Sequence, residues 1–215
     1  MIQVLLKLAL QDHKGGVNDF VGQRQAALYV IMYWCIAHFE EAAALTVGAV
    51  VKRGLSLQIN IKKGKLNQER KLQQCYIHPN SADSLGNFDP VLIFEEYLKI
   101  RKRFVNTNST DHMFPNLSST WDNVTKKTVI TLKVPGEAMK YDNYRKRFKA
   151  HLAHNDMTSL GVNADDFGTH SFRIRGLSVL GNDGQVNPSF IQRSASHKNL
   201  NSTMRYIRPS LKSSL

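Results

Sequence analysis

The sequence is poor in cysteine. Cys35 and Cys75 are its two cysteines among 215 residues, and neither belongs to a C-x-x-C pair. A disulfide framework and a cysteine-rich zinc site are therefore excluded. The eight histidines do not replace them, because they are scattered and the closest pair, His151 and His154, lacks a carboxylate partner at ligand spacing. We expect no metal site.

Long hydrophobic runs and glycine-rich phosphate loops are also missing. The longest apolar stretch, residues 26–37, has twelve residues, whereas a membrane span needs about 20. The N-terminus has no basic leader and no small-residue cleavage site. No strand-to-helix turn carries the glycine pattern of a P-loop or a dinucleotide fold. We expect a soluble intracellular protein, nuclear if its source is eukaryotic, with no cofactor and no membrane partner.

Acidic residues are scarce relative to basic ones. Asp and Glu number 17 and Lys and Arg number 29, so the net charge is +12 and the pI is about 9.8. This excess indicates a polyanionic partner, either nucleic acid or an acidic membrane surface. Hydrophobic residues make up 42% of the chain, which is enough for a real core. We expect one domain over residues 1–215, with a loose polar tail at 210–215.

The apolar periodicity predicts a mainly helical α+β fold with a small antiparallel β-hairpin. The predicted helices are residues 2–11, a long central helix at 23–45, residues 90–103 after an Asp-Pro start, a helix from 141, and one from 170. The predicted strands are residues 55–61 and 70–77. The polar region 106–136 is interpreted as a surface insertion with one short strand at 129–134.

The C-terminal third carries polar groups spaced for a phosphate site that works without a metal. His170 and Arg173 are three residues apart, which places them on one face of a helix start. His197 lies 24 residues beyond Arg173, and Tyr206 lies nine beyond His197. Phosphate chemistry needs a nucleophile and several cationic or hydrogen-bonding groups, because negative charge builds up on the phosphate oxygens in the transition state.

These motifs resemble the catalytic core of the tyrosine recombinases, also called phage-type integrases. THSFRIRG at 169–176 and SHKNLNSTMRY at 196–206 are similar to the H-x-x-R motif, the second histidine and the nucleophilic tyrosine of that family. AHFEEAAAL at 37–45 is similar to its first motif, with Glu41 as the glutamate, and GKLNQERK at 64–71 is similar to its lysine-bearing turn. The resemblance is nearest to the recombinases of DIRS-like and Crypton transposons of eukaryotes.

The resemblance implies a role for each matched residue. Tyr206 would attack the scissile phosphate of double-stranded DNA and form a 3′-phosphotyrosyl bond. Arg173 would clamp the phosphate oxygens with its planar guanidinium. His170 and His197 would donate hydrogen bonds to the same phosphate, and His170 would help to remove the tyrosine proton. Lys65 would protonate the departing 5′-oxygen.

Other basic residues are predicted to contact the DNA backbone. They are Lys62, Lys63, Arg145, Arg147, Lys149, Arg175 and Lys198. Lys63 is also the alternative to Lys65, because the register of the lysine-bearing turn is open. The basic run at 144–152 could equally be the solvated face of an amphipathic helix. The family's separate N-terminal DNA-binding domain is expected to be absent, and a homo-oligomer on DNA is compatible with the resemblance.

The sequence departs from the family pattern at His38, where the family has its first catalytic arginine. Arginine stays charged and presents a rigid fork, whereas histidine has a reference pKa of about 6.5. Loss of one such donor costs about 10²–10³ in rate. Arg24 is rejected as a substitute, because it lies 17 residues before Glu41. We therefore expect weak or absent catalysis.

Two functions stay open on this basis. The first is the catalytic domain of a tyrosine recombinase that acts in DNA recombination or integration and is impaired at His38. The second is a transposon-derived domain that holds DNA or protein without cutting. An RNA-binding module is disfavoured, because the sequence has no signature of base-stacking aromatics.

Overall fold

The computed structural model describes residues 1–11, 17–63, 71–79, 88–105, 108–125, 127–132, 137–168, 170–182, 187–194, 201 and 204. The helices are α1 (Ile2–Gln11), α2 (Val17–Trp34), α3 (Phe39–Ala43), α4 (Pro90–Phe104), α5 (Tyr141–Leu152), α6 (Asn155–Thr158), α7 (Ser171–Asn182) and α8 (Pro188–Ser194). The strands are β1 (Val50–Arg53), β2 (Ser56–Lys63), β3 (Lys71–Ile77), β4 (Leu117–Asp122) and β5 (Lys127–Leu132). The predicted α+β class is confirmed.

Helix α2 is the central element, as its sequence predicts. Residues 26–32 are apolar on every face of the helix, and each of them is completely buried. Helices α1, α4 and α7 all pack against α2, so each of them can bury its own apolar face there. Among the described helices, none is long and apolar enough to cross a membrane.

The predicted long helix at 23–45 is wrong at both ends. Helix α2 starts earlier and ends at Trp34, and residues 35–38 separate it from the short helix α3. The break occurs at Ile36, whose φ of 52° is left-handed and cannot continue a right-handed helix. A β-branched residue in this region costs on the order of 1–3 kcal/mol. No glycine or proline marks the turn, so the apolar pattern runs through it unbroken.

The two predicted strands form the centre and one side of a three-stranded antiparallel sheet. Strand β2 lies between β1 and β3, and Leu57 is opposite Ile77. Leu57, Ile59 and Ile61 alternate with polar residues and are buried, so one face of β2 covers the core and the other stays polar. Strand β1 was not predicted, because its four residues are too few to show alternation.

The region interpreted as a surface insertion contains both a hairpin and a buried segment. Strands β4 and β5 pair from Leu117 opposite Leu132 to Asp122 opposite Lys127, so the strand predicted at 129–134 is present and starts earlier, at Lys127. Residues 133 and 134 lie outside the described residues. Residues 113–116, by contrast, are buried. The surface interpretation is wrong for this part, because its backbone pairs with Leu45 and with residues 137–139 inside the fold.

We call residues 113–116 the inner segment. Buried side chains donate hydrogen bonds to its carbonyl oxygens and to that of His112 just before it. Arg101, which is fully buried, donates from Nε to the oxygen of Met113 at 3.2 Å and from Nη2 to that of His112 at 2.9 Å. The Tyr97 hydroxyl donates to Met113 at 2.6 Å, and Arg24 Nη1 donates to Pro115 at 2.5 Å. Buried carbonyls need such donors wherever no regular ladder supplies them.

Replacing Arg101 with methionine should lower the free energy of unfolding by about 3 kcal/mol, because two hydrogen bonds from a charged donor are lost while the apolar bulk is kept. Urea denaturation followed by far-UV circular dichroism measures this change. Arg103 lies on the same helix and is exposed, so Arg103→Met is the matched control and should stay within about 0.5 kcal/mol of the native chain. Equal losses in both variants would contradict the role given to Arg101.

Candidate active site

Two helix starts bring His38 and His170 together. His38 immediately precedes α3 and His170 immediately precedes α7. Their imidazole rings lie with centroids 4.8 Å apart in an edge-to-face arrangement at 77°. His38 is half-buried and His170 is exposed. A group that reaches this surface from solvent therefore meets His170 next to His38, although the two residues are 132 positions apart in sequence.

A buried carboxylate links His38 to Arg173. Glu41 Oε2 accepts a hydrogen bond from the backbone N–H of His38 at 2.9 Å and lies 4.0 Å from Arg173 Nη1. The exposed fractions of Glu41 and Arg173 are 8% and 7%. The Glu41 side chain therefore caps the start of α3 from a buried position. At this depth the carboxylate and the guanidinium compensate each other's charge.

The position of α7 depends on a glycine. A Cβ atom at Gly176 would lie 3.0 Å from the carbonyl oxygen of Tyr33 and 3.4 Å from Cγ1 of Ile36. Helix α7 therefore packs directly onto the end of α2 and onto the left-handed turn that follows it. Gly176 is one helical turn after Arg173, so this contact brings Arg173 close to Glu41. Neither Gly176 nor Ile36 is marked by a local signal in the sequence, because each contact joins residues far apart in the chain.

Four of the predicted residues lie outside the described residues. They are Tyr206, His197, Lys65 and Lys198. The structure therefore describes three of the six predicted catalytic residues, and all three fall in one place: His38, His170 and Arg173. The roles given to all six residues stay predictions.

The predicted DNA-contacting residues have different surroundings. Lys62 on β2 and Arg145 on α5 are exposed, and Arg147 is partly buried. Lys149 Nζ donates to the carbonyl oxygen of Ala164 and lies 4.0 Å from an Asp165 carboxylate oxygen, so its ammonium already has partners within the fold. Lys63 ends β2 and Arg175 lies in α7, and their side chains are not among those described.

The rejected alternative, Arg24, belongs to the core. Its guanidinium is bound to Pro115 as described above, and its side chain is 3% exposed. Desolvation by burial lowers the pKa of Arg24 to about 10, the nearby Tyr97 opposes this shift, and Arg147 adds to it. Arg24 is thus charged at neutral pH and donates a hydrogen bond to the backbone of the inner segment.

In the part of the chain that the structure describes, no three histidine, cysteine or carboxylate side chains are close enough together to share a metal ion. The His38–His170 surface instead combines two imidazoles with a buried guanidinium, next to the N-terminal end of the twelve-residue helix α7. Such an end carries partial positive charge. The arrangement is chemically suited to an anion such as a phosphate diester.

Comparison with known proteins gives a family match. The model of the phage integrase family matches residues 18–212. The matched range includes His38, His170, Arg173 and Tyr206. A search of curated proteins finds no significant match.

Solved recombinase structures share the fold. A XerH site-specific recombinase bound to difH substrate in a pre-cleavage complex superposes with a TM-score of 0.64 at 16% identity, over 96% of this chain and 48% of that one. The Tn1549 transposon integrase in complex with a circular intermediate DNA gives 0.61 at 15%, over 96% and 58%. XerA recombinase gives 0.60 at 13%, over 96% and 57%. The chain spans about half the length of these structures.

Replacing Gly176 with alanine should lower the free energy of unfolding by about 1–3 kcal/mol, because the new methyl group forces α7 away from a backbone oxygen. Thermal and urea denaturation measure the loss. Gly168 has open space where its Cβ would be, so Gly168→Ala is the control and should be neutral or stabilising by up to about 1 kcal/mol. A Gly176→Ala protein as stable as the Gly168→Ala protein would rule out the tight contact.

Proposed function

The chain belongs to the phage integrase family of tyrosine recombinases, and from this premise we propose that it binds double-stranded DNA and cleaves one strand through Tyr206. The observation that carries the proposal is that His38 lies against His170, while the Glu41 carboxylate joins the backbone of His38 to the buried guanidinium of Arg173. Identities of 13–16% to the solved recombinases establish a common fold; the chemistry proposed here rests on the residues of this chain.

The reaction is a transesterification in which one phosphodiester bond is exchanged for another. The Tyr206 oxygen attacks the phosphorus and forms the 3′-phosphotyrosyl bond, while the bond from phosphorus to the 5′-oxygen breaks. Lys65 donates a proton to the departing 5′-oxygen, and His170 accepts the tyrosine proton. Arg173 and His197 stabilise the charge that develops on the non-bridging oxygens. Attack by a 5′-hydroxyl on the phosphotyrosine reverses the step and rejoins the strand.

Arg173 is suited to this role because its guanidinium is held before any substrate arrives. The carboxylate of Glu41 lies 4.0 Å away and is itself fixed by the His38 backbone. A preorganised donor needs no reorganisation when charge develops, which is where electrostatic catalysis gains most. Exposed cations such as Lys62 and Arg145 would bind neighbouring phosphates and hold the duplex without reading its sequence.

His38 stands where the family has its first catalytic arginine and supplies a weaker hydrogen-bond donor than a guanidinium. Its imidazole is 4.8 Å from that of His170 between ring centroids, so two imidazoles serve one phosphate. We therefore propose a slow enzyme. The alternative is a catalytically inactive domain that only binds DNA or another partner, and the histidine at position 38 is the observation that favours it.

We further propose a transposon origin and a eukaryotic affinity. The motif at 196–206, which resembles DIRS-like and Crypton recombinases, supports the affinity, and the fold shared with the Tn1549 transposon integrase supports the origin. In this proposal residues 1–215 act as one catalytic unit, assemble as a homo-oligomer on DNA, and work in the nucleus of a eukaryotic cell.

Incubation with supercoiled plasmid should yield an SDS-resistant protein–DNA adduct in the native chain. His38→Arg should raise its rate by about 10²–10³, because a rigid cationic donor is restored. Tyr206→Phe should abolish the adduct without lowering the melting temperature. Tyr76 lies on β3 and is 48% exposed, so Tyr76→Phe is the control for loss of a tyrosine hydroxyl group and should leave the adduct unchanged.

An adduct that survives Tyr206→Phe would contradict the nucleophile assignment. If no variant forms an adduct and all still bind DNA, the binding-only alternative is favoured. DNA affinity, measured by fluorescence anisotropy at several salt concentrations, separates these outcomes because phosphate contacts give it a steep salt dependence.

A further inference from the structure

A continuous stack of four buried rings joins the two halves of the candidate site. Phe39 stacks on Tyr144 with centroids 4.7 Å apart at 23°, Tyr144 stacks on Phe148 at 5.6 Å and 9°, and Phe148 packs on Phe172 at 5.3 Å and 41°. None of the four side chains is more than 4% exposed. We call these four residues the ring stack.

The ends of the ring stack are sequence neighbours of the site residues. Phe39 directly follows His38, and Phe172 lies between His170 and Arg173. The two middle rings, Tyr144 and Phe148, come from α5, which contributes no predicted catalytic residue. Aromatic rings are rigid and protein interiors are close-packed, so a shift of one ring moves its neighbours and the backbone that carries them.

We propose that Tyr144 and Phe148 are positioning residues that set the separation of His38 and His170. The catalytic consequence of this inference rests on the proposed function. The separation of the two histidines, by contrast, can be measured without any reaction. Helix α5 acts as a spacer in this arrangement: its two rings fix the distance between the starts of α3 and α7. Substitution of either ring by a smaller apolar group lets the two histidines move relative to each other.

A second set of contacts holds the spacer in place. Tyr29 on α2 stacks on Phe172 with centroids 5.1 Å apart at 27°. Its hydroxyl group forms a buried hydrogen bond of 2.9 Å with Nδ1 of His151 at the end of α5. Tyr29 also meets Phe148 edge to face at 6.0 Å. The central helix α2 therefore contacts both α5 and α7, and these contacts hold the rings of the ring stack in place.

Tyr144 contributes through its ring and not through its hydroxyl group. Its oxygen is buried and has no hydrogen-bond partner among the described residues, and burial raises the pKa of this phenol well above its usual value. A buried hydroxyl without a partner adds nothing to stability. Tyr144→Phe therefore keeps the stack and is the conservative rescue variant, whereas Tyr144→Leu removes the ring.

The chain also supplies a matched control in a separate aromatic cluster. Phe94 is fully buried like Phe148, and it packs against Tyr97 and Phe114 near the inner segment 113–116. Phe94→Leu and Phe148→Leu remove the same group at the same depth. The two variants should lose similar amounts of stability. A difference between them in the separation of His38 and His170 therefore reports positioning.

The decisive measurement is an NMR experiment on the full chain with ¹³C-labelled histidine. Rings 4.8 Å apart should give a cross-relaxation peak between the imidazole protons of His38 and His170, assigned with His38→Gln and His170→Gln. The peak should persist in Phe94→Leu and Tyr144→Phe and weaken strongly in Phe148→Leu and Tyr144→Leu. A full peak in Phe148→Leu, or an equal loss in Phe94→Leu, would overturn the proposal.

The adduct assay then tests the catalytic consequence. At saturating DNA, Phe148→Leu should slow adduct formation on the order of 10²-fold, as small misplacements of reacting groups do, and its affinity for DNA should be unchanged. Phe94→Leu and Tyr144→Phe should keep the native rate. If no variant forms an adduct, the proposed function fails, and the NMR peak still decides the positioning role because it needs no reaction.

Discussion

The buried contact between Glu41 and Arg173 is the constraint around which the site is organised. A guanidinium that is 7% exposed is tolerated only with a compensating charge, and the carboxylate that supplies it also holds the backbone of His38 at 2.9 Å. One side chain thus fixes the start of α3 and the first turn of α7 together. Gly176 permits this approach, because its lack of a side chain lets α7 pack closely against the end of α2.

The proposed function relies on fixed positive charge. In that proposal the excess of basic residues draws a polyanion to the surface, and the residues at the candidate site act on one phosphate. The imidazole at position 38 would weaken only the second of these steps. Binding and catalysis would then be separable, with exposed cations such as Lys62 and Arg145 serving the first and the His38–His170 surface serving the second.

Helix α5 has two functions on opposite sides. Its inner side carries Tyr144 and Phe148, which pack between Phe39 and Phe172. Its outer side carries Arg145, which is exposed, and Lys149, which is bound to Ala164. The two interpretations of this basic run, as a DNA-facing surface and as an ordinary solvated face, both stay predictions for Arg145, whereas the Lys149 ammonium has partners within the fold. Depth and local partners distinguish them, and neither property is visible in the order of the residues.

Local patterns in the sequence were enough to predict the helical α+β class, the central burial of α2 and the pairing of β2 with β3. These features follow from hydrophobic periodicity, which the chain encodes directly. Long-range packing, by contrast, sets the break at Ile36, the burial of residues 113–116, and the approach of α7 to α2 at Gly176. Each of these depends on groups far apart in sequence whose packing outweighs local preference, so no local pattern could reveal them.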